Sequence, residues 1–562
     1  MKSILNIICI LILHQILFGG TTGKLSGTLI DKETGEPLIG CNIIIEDTYL
    51  GTSSNEKGEY ALLNIPPNTY SIRFEMIGYK KLVNEGVTII SDKTTSLNGE
   101  LVSSVIAGEE VVVVAEKKLI QFDVTQSEAI ISSEELEGMP VTEVSEVLRL
   151  QGGVTVDSDG GIHMRGGRTS EVSYMVDGVP MSDLYDGGIG VQIENDNIQE
   201  LQVISGTFNA EYGRALTGVV NMVTKDGGNQ FEGSLHTYAG DYQSSDKIYN
   251  NLNNLDLEDD YSVSASLSGP ILKDKVTFYS SGRVNQSKGW LNGLQTFTIY
   301  GDTIFKDQNN NRYLDGNEEQ KDPYYKGLNW HSSWSTQNKV TFNLLKGTTF
   351  KINTILNSRE SQDYNFALQL LEDAQITNFN RGRFLGLSIS HTLSPTSFLQ
   401  VNVSENKYNY ESYLFEDPLD NRYITPDSLF LARLENRIPD HIIEQYGDQV
   451  QYFPAYSLYR AGVDNRRFER ETKTNNYKLD FTSQINKYNQ VKLGLDFSSH
   501  SLMLDTYSIL DSTLTDQVYT PFIPDKESFT RSYYVRKPTE FAIYAQDKIE
   551  YGDMIINLGL RY

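Results

Sequence analysis

The sequence predicts a mainly β protein in three parts: a small β-sandwich, a glycine-rich segment folded as a mixed sheet, and the N-terminal half of an antiparallel transmembrane β-barrel. Three observations carry that reading. Gly (45), Tyr (34) and Phe (23) are frequent, Pro (15) is sparse and hydrophobic residues reach only 39%, which suits many strands joined by polar loops rather than membrane helices. Strand and turn signals recur every ten or so residues near the N-terminus. In the second half, apolar and polar residues alternate over segments of about ten residues, the spacing of a membrane-crossing strand. At 562 residues the chain also exceeds one ordinary domain.

Residues 1–23 read as a secretory signal peptide. Lys2 is the positive end, Ile4 to Phe18 the apolar stretch, and Gly19, Gly20 and Gly23 offer small residues for cleavage. A spanning helix needs about 20 apolar residues, and this run is shorter, with no Arg/Lys stop-transfer cluster behind it. Cys9 lies inside the apolar stretch and not after a lipobox, which argues against a lipid-anchored mature protein. Once the signal is removed Cys41 alone remains, so no intramolecular disulfide is expected and stability must come from sheet closure and packing. The net charge of −26 argues against a nucleic-acid partner and fits solvated loops.

Residues 24–101 carry strand signals at Leu25 to Ile30, Asn42 to Glu46, Tyr60 to Leu63, Tyr70 to Glu75 and Val87 to Ile90, punctuated by Gly35, Gly51, Gly58, Pro66-Pro67 and Gly78. That spacing predicts a small all-β sandwich. The run GTLIDKETGEPLIGCNIIIEDTYLGTSSNEKGEYALLNIPPNTYSIRFEMIGY resembles the carboxypeptidase regulatory-like domain, a transthyretin-like sandwich that is not itself catalytic.

Residues 102–118 form a linker. Four consecutive valines, Val111 to Val114, lie between Glu110 and Ala115, a β-branched run that favours a strand over a helix. The run reads as the last sandwich strand or a linker strand, while its position just ahead of the glycine-rich segment makes Glu110, Val111, Val112, Val113, Val114 and Ala115 resemble a TonB box. A box works by adding an extended strand to the sheet of an energy-transducing partner.

Residues 119–228 open with Pro140 and Thr142 before a short helical pattern, Val144, Val147 and Leu148, with Thr142 as expected N-cap. Then follow QGGVTVDSDGGIHMRGGRTSEVSYMVDGVPM and IQELQVISGTFNAEYGRALTGVVNMVTKDGG. Gly166, Gly167, Gly178, Gly213 and Gly218 are expected to mark tight turns in a mixed sheet. Val172, Tyr174 and Val176, then Val219, Asn221 and Val223, alternate as strand faces do. These runs resemble the plug domain of TonB-dependent receptors across nearly its whole length, an α+β fold, with matches at Arg165-Gly166-Gly167, Asp177-Gly178, Tyr212-Gly213-Arg214 and Gly218. One departure stands out. Many relatives read Arg-Gly-Pro where this chain reads Ser205-Gly206-Thr207, so a plug-to-barrel charge contact is expected to be missing or supplied by Arg214, while Arg165 is expected to pair with a barrel carboxylate.

In residues 229–562, Leu399, Val401 and Val403 interleave with Gln400, Asn402 and Ser404, and the same alternation runs through Tyr477 to Ile485, Val491 to Phe497 and Ile556 to Tyr562. A soluble sandwich alternates in the same way. Connection lengths separate the two: short turns at Lys346-Gly347, Ser394-Pro395, Asn486 to Asn489 and Glu550 to Asp553 alternate with long polar stretches near Ser287 to Trp330, Ser358 to Gly382, Glu411 to Thr474 and Ser501 to Pro538, as in an outer-membrane barrel. About eleven strands are expected where plugged transporters close at about 22. An open sheet in lipid leaves backbone groups unsatisfied, so the sequence reads as C-terminally incomplete. Tyr279, Tyr408, Tyr410, Tyr544 and Tyr562 at strand ends are candidates for interfacial girdles or for core and lumen packing.

Candidate chemistry is thin. Asp307, Asn309, Asn311, Tyr313, Asp315 and Glu318 fall at positions 1, 3, 5, 7, 9 and 12 of an EF-hand-like calcium loop, with Arg312 where Gly is wanted. An acidic, Asn-rich surface loop is the plain alternative, and absence of heat on calcium titration would exclude the metal. His441 and Glu444 read as HxxE, a zinc pattern whose third ligand has no candidate beyond His500, and are treated as coincidence. No G-x-S-x-G, P-loop or Rossmann fingerprint occurs, so no enzyme is expected and no cofactor is required, calcium in that outer loop being the one candidate.

The resemblance implies an outer-membrane receptor of a Gram-negative-type bacterium, set in outer-membrane lipid. It would take up an unidentified extracellular ligand with a periplasmic TonB-type energy-transducing partner. A non-transporting adhesion or assembly barrel is the alternative, and a secreted metallocarboxypeptidase ranks last.

Overall fold

The computed structural model describes residues 22–104, 110–114, 127–299, 324–423, 458–459, 462–513, 519–551 and 554–562, apart from 140, 142, 158–159, 207, 247–248 and 254. The N-terminal unit contains β1 (Gly23–Asp31), β2 (Asn42–Ile45), β3 (Gly51–Ser53), β4 (Glu59–Ile65) and β5 (Asn68–Glu75). It continues with β6 (Lys81–Ile89), β7 (Thr94–Ser96), β8 (Gly99–Leu101) and β9 (Glu110–Val114). One sheet runs β4-β1-β7 with β8 also on β1, and the other runs β3-β2-β5-β6-β9. Alternate residues turn inward, and Leu25, Leu29, Ile43, Ile45, Ile72 and Phe74 are fully buried between the sheets. Residues 110–114, read above as the last sandwich strand, a linker strand or a box, form the last strand of this sandwich: β9 lies parallel to β6, with Val83 opposite Val112 and Asn84 opposite Val113.

The middle unit has two short helices, α1 (Ser133–Glu137) and α2 (Val144–Arg149). Its strands are β10 (Ser127–Ser132), β11 (Val154–Val156), β12 (Ile162–Met164), β13 (Val172–Val176), β14 (Val179–Pro180), β15 (Ile198–Ser205) and β16 (Gly218–Thr224). The main sheet runs β10-β15-β16-β13-β14; it is mixed, because β13 and β16 are parallel while the other pairs are antiparallel. Helix α1 was not foreseen, although Ser132 and Glu135 form a reciprocal capping box visible in the sequence. The cap of α2 is Glu143, which with Glu146 closes a second box; Thr142, the expected cap, is outside the described residues.

Alternation in β16 proved only half the story, since every residue from Gly218 to Thr224 is buried. One face packs on the plug's own core, and the core extends to Ile355 and Phe384 of the surrounding wall. Asn221 is tolerated there because its Nδ2 donates to Gln202 Oε1 (2.9 Å) and its Oδ1 accepts from the Gly178 N–H (3.3 Å).

The wall comprises β17 (Glu232–Gly240), β18 (Asp260–Leu272), β19 (Val276–Ser287), β22 (His331–Leu345), β23 (Thr348–Ser361) and β24 (Thr377–Ser394). It continues through β25 (Ser397–Tyr413), β26 (Arg466–Gln484), β27 (Asn489–Ser508), β31 (Thr539–Tyr551) and β32 (Met554–Arg561). Each pairs antiparallel with the next, and β30 (Arg531–Arg536) adds to the outer half of β27. Hairpins β20 (Asn292–Gln295) with β21 (Tyr324–Gly327), and β28 (Leu510–Thr513) with β29 (Tyr519–Phe522), stand in the long connections. Strands continue past the expected loop borders, to Tyr413 in β25 and from Arg466 in β26. Cross-strand charge pairs such as Lys407 with Glu471 (2.7 Å) and Lys473 with Glu405 (2.5 Å) hold those polar ends together.

Polarity of the wall is inverted relative to a soluble sheet. Gln400, Asn402, Ser404, Asn476, Lys478, Asp480, Thr482 and Lys492 are buried against the plug, whereas Tyr477, Leu493, Phe497, Phe541, Ile543 and Leu558 on the outer face are exposed. Among the described residues no helix is long and apolar enough to cross a membrane.

Candidate functional site

Local backbone chemistry builds the plug's turns. Asp177 (φ 47°) and Gly178 (φ 76°) are both left-handed, and Val176 pairs directly with Val179, so the Asp-Gly pair is a two-residue hairpin turn of the kind these residues favour. That turn also offers a carboxylate to the wall. Asn353 Nδ2 donates to Asp177 Oδ2 (3.0 Å), and Lys339 Nζ lies 3.4 Å from the same oxygen. Lys339 also lies 3.2 Å from Asp226 Oδ1, and Lys351 Nζ 2.5 Å from Asp226 Oδ2. Burial alone would raise the Asp226 carboxyl, but the two lysines reverse that and hold it below the ordinary carboxylate range.

Further pins surround the plug. Glu194 accepts from Arg283 Nη1 (2.9 Å) and Ser335 Oγ (2.8 Å), its pKa still raised by burial against Arg283's opposing charge. Glu143 meets Arg359 at 3.2 Å. Arg214 does supply a plug-to-wall contact: its Nε lies 2.5 Å from Glu540 Oε2 and its Nη2 2.9 Å from His500 Nε2. Among the described residues Arg165 has no ion pair with a carboxylate of the wall, contrary to expectation. Its left-handed backbone (φ 49°) and its N–H bond to Gly153 O (2.8 Å) fold the residue back on the plug, where a Cβ on Gly206 would stand 2.9 Å from its Nη1. Gly166 (φ 78°) and Gly167 complete that turn, with Gly167 against Thr217. Gly218 is needed for close approach, since a Cβ there would overlap Met164 Sδ, and Gly213 packs beneath Arg561 of β32.

Toward the end bearing the long connections, the plug raises a loop containing Asp183, Tyr185 and Asp186. Arg470 of β26 clamps it, with Nη2 3.0 Å from Asp183 Oδ2 and Nη1 2.9 Å from Asp186 Oδ2. The guanidinium lies 4.5 Å from the Tyr185 ring centre and within 6 Å of the Tyr408 and Tyr410 rings. Burial raises the Asp183 carboxyl while Arg470 opposes it. Tyr408 and Tyr410 thus serve the lumen. Tyr279, which donates to Asn197 Oδ1 (3.0 Å), and Tyr544, which donates to Asp480, also face inward; Tyr562 is exposed. Over this vestibule the long connections share an apolar core of Ile299, Leu368, Leu371, Phe415, Tyr423, Val463 and Ile509. Sequence reasoning missed this clamp, whose local trace was only the acidic and aromatic run from Asp183 to Asp186.

At the short-turn end the sandwich sits against plug and wall. Lys492 Nζ of β27 lies 3.0 Å from Asp92 of the sandwich and 2.8 Å from Glu211 of the plug, joining all three units. Tyr212 Oη donates to Asp92 Oδ2 (3.3 Å). Lys24 and Thr94 both bind Glu550 at 2.8 Å, Lys487 meets Glu59 at 2.6 Å, and Asn64 Nδ2 donates to Ser390 Oγ (2.7 Å). The Ser91 N–H donates to Glu200 Oε2 (3.4 Å), and Gln202 Nε2 to Glu200 Oε1 (2.7 Å). Burial pushes Glu200 up to about 7.

Strand β9 carries Val112 and Val113 exposed at the sandwich edge; Ala115 is outside the described residues. So are Asp307, Asn309, Asn311, Tyr313, Asp315 and Glu318, and also His441 and Glu444. His500, the third residue considered with the HxxE pair, is engaged by Thr474 Oγ1 (2.9 Å) and Arg214.

Comparison with known proteins places these units. The sequence model of the CarboxypepD_reg-like domain matches residues 25–113, and that of the TonB-dependent Receptor Plug Domain matches residues 121–220. The chain is 25% identical over 279 residues to the TonB-dependent transporter Oar of Myxococcus xanthus, covering 45% of this chain and 26% of that protein. It is 26% identical over 202 residues to a probable TonB-dependent siderophore receptor, PirA, of Acinetobacter baumannii, covering 32% and 25%. Its fold is similar to the outer-membrane transporter YddB of Escherichia coli (TM-score 0.52, 12% identity, 77% of this chain and 56% of that one). It is also similar to the ferric citrate transporter FecA (TM-score 0.50, 14% identity, 78% and 56%). The chain therefore spans about a quarter of the curated relatives and just over half of the solved structures it matches.

Proposed function

The chain belongs to the TonB-dependent receptor family, a family of receptors and transporters rather than enzymes, and from that premise we propose that it actively imports a ligand across the outer membrane. The carrying observation is the inverted wall: a sheet apolar outward and polar inward, wrapped on a globular unit that ion pairs pin to it. Lipid covers the outer face. Exposed apolar strands of that extent have no stable place in water.

In this reading residues 1–23 export the chain. Ligand arrives over the loop at Asp183 to Asp186, where contacts compete with those of Arg470. Because the clamp joins plug to wall, a ligand that favours its open state shifts the population toward a released plug. The partner on the other side is a TonB-type protein that takes residues 110–115 as an added strand. PirA's name makes siderophores one class to assay, and iron chelates, oligosaccharides and peptides form the test panel.

Deleting Glu110 to Ala115 from the full-length receptor tests the proposal. Energy-dependent accumulation of the labelled ligand is expected to be lost while ligand binding is retained. Accumulation that survives the deletion removes the box assignment. Binding without energy-dependent accumulation in the unmodified receptor favours a non-transporting barrel instead.

A further inference from the structure

The wall curls around the plug, which it meets from β18 (Ser264 Oγ to Asp196 Oδ2, 2.9 Å) to β32 (Arg561 Nη1 to the Glu211 carbonyl, 3.3 Å). The sandwich touches the short-turn end of that arc at both extremes and between them. Asn229 Nδ2 donates both to the Asp47 carbonyl (2.9 Å) and to Asp274 Oδ1 in the β18–β19 turn (3.0 Å). Asn64 meets Ser390 near the end of β24, Glu59 meets Lys487 in the β26–β27 turn, and Lys24 meets Glu550 at the end of β31. A body in contact with an arc at both ends and in its middle lies across the opening that the arc encloses. Toward the plug the sandwich extends residues 91–93. There the Ser91 N–H donates to Glu200, Asp92 accepts from Tyr212 Oη, and Lys93 pairs with Glu128.

We infer that the sandwich is a lid over the short-turn mouth, and that it must leave the mouth before anything passing the plug can exit. This rests on the import reading, in which cargo leaves at that end. The seam suits opening. Sandwich and plug each keep an apolar core of their own, whereas ion pairs and hydrogen bonds join them to each other and the sandwich to the wall. Buried ion pairs add little net stability, because water solvates the charges again when they part. The lid can therefore leave as a folded unit while the strands within it stay paired.

One side chain links lid, plug and wall. Lys492 Nζ of β27 lies 3.0 Å from Asp92 Oδ1 and 2.8 Å from Glu211 Oε2. A plug shift that carries away Glu200, Tyr212 and Glu128 strips residues 91–93 of these plug contacts and leaves Asp92 with Lys492. The lid is then held by the wall turns and that single pair. Plug movement and lid release are coupled in this way without any contact between lid and cargo.

A reducible staple tests this in the full-length receptor. Glu59→Cys and Lys487→Cys put one thiol on the sandwich and one on a wall turn, to be joined by a short bis-maleimide that contains a disulfide; Cys41 is fully buried and stays out of reach. The probe is potassium chloride, carried as current through receptors in a planar lipid bilayer. Urea, which loosens packing, is raised on the long-connection side until unstapled receptors conduct. At that concentration stapled receptors are expected to carry about tenfold less current, or lower still, with current returning on reduction. The same reagent across Thr69→Cys and Thr88→Cys, opposed residues within the sandwich, leaves the lid free and is expected to change nothing. Asp92→Asn keeps the left-handed backbone there (φ 58°) and removes the charge facing Lys492, so unstapled receptors are expected to open at lower urea. Equal currents from stapled and unstapled receptors, or an equal loss in the Thr69/Thr88 control, overturn the lid. An unchanged urea threshold in Asp92→Asn overturns the latch at Lys492. Neither cargo nor energy-transducing partner enters these currents, so a failed lid leaves the import proposal standing, and a failure of import shows in the accumulation assay instead.

Discussion

In the sandwich, Ile43, Ile45, Ile72 and Phe74 turn toward the opposite sheet and are fully buried; in the wall, the apolar members of the same two-residue alternation, Leu493 and Phe497 among them, are exposed on the outer face. What differs is the companion of the polar face. Thr69 and Thr88 on the sandwich exterior meet each other and water, whereas Asn476, Lys478, Asp480 and Lys492 are buried against another folded unit. A period of two therefore states only that two faces differ. Which face is the inside follows from the medium on the other side.

The largest effect expected from that contrast is in the sandwich. Phe74 is fully buried and packs edge-on to Tyr60 with ring centres 5.8 Å apart. Phe74→Ala should cost about 3–5 kcal/mol through lost burial and a residual cavity. Urea-dependent protease susceptibility of the sandwich within the full receptor measures it. A cost below about 1 kcal/mol would mean that the sandwich core is not organised around this ring.

Next comes a substitution that separates the two media. Phe497 is 41% exposed on the outer face of β27. On a protein surrounded by water, replacing such a residue with arginine is nearly neutral. On a lipid-facing strand, Phe497→Arg should cost about 2–4 kcal/mol near the bilayer midplane. Folding into lipid vesicles across a urea series, read by heat-modifiable gel mobility, gives the value, and a neutral result would break the membrane assignment of this face.

The same contrast explains what was legible in the sequence. Local chemistry was: Asp177-Gly178 needs two left-handed residues, and those residue types announce the turn without knowing their neighbours. Alternation placed the wall strands, and unequal connections sorted their ends. Non-local pairing was not legible. Arg470 lies 284 residues from Asp186, and nothing near either predicts the clamp. Arg165 looked free to reach the wall until its backbone conformation turned it inward. Val219, Asn221 and Val223 announced a strand face, but a one-dimensional pattern cannot show that both faces of β16 are covered. The place of Val111 to Val114 was equally hidden, since a β-branched run suits a strand in any of several settings and only its pairing with β6 shows it in the sandwich.

The smallest effect is a dependence on pH at the junction of sandwich and plug. Glu200 is buried beside Ser91, Gln202 and the Asp92 carboxylate, and burial raises its pKa from 4.5 to about 7. Because the folded value lies above the unfolded one, the protonated form is the one the fold prefers. Its contribution is complete below about pH 4.5 and disappears as pH rises through 7. A shift of that size corresponds to at most about 3 kcal/mol, and relaxation or water entry at a junction between units reduces it. Glu200→Gln keeps the shape and removes the proton equilibrium. The variant should match the unmodified receptor near pH 5 and exceed it in resistance of the plug to urea at pH 8, with the difference opening between those values. Parallel curves for both proteins across the range would show that Glu200 is ionised throughout, and that water reaches the seam where the sandwich meets the plug.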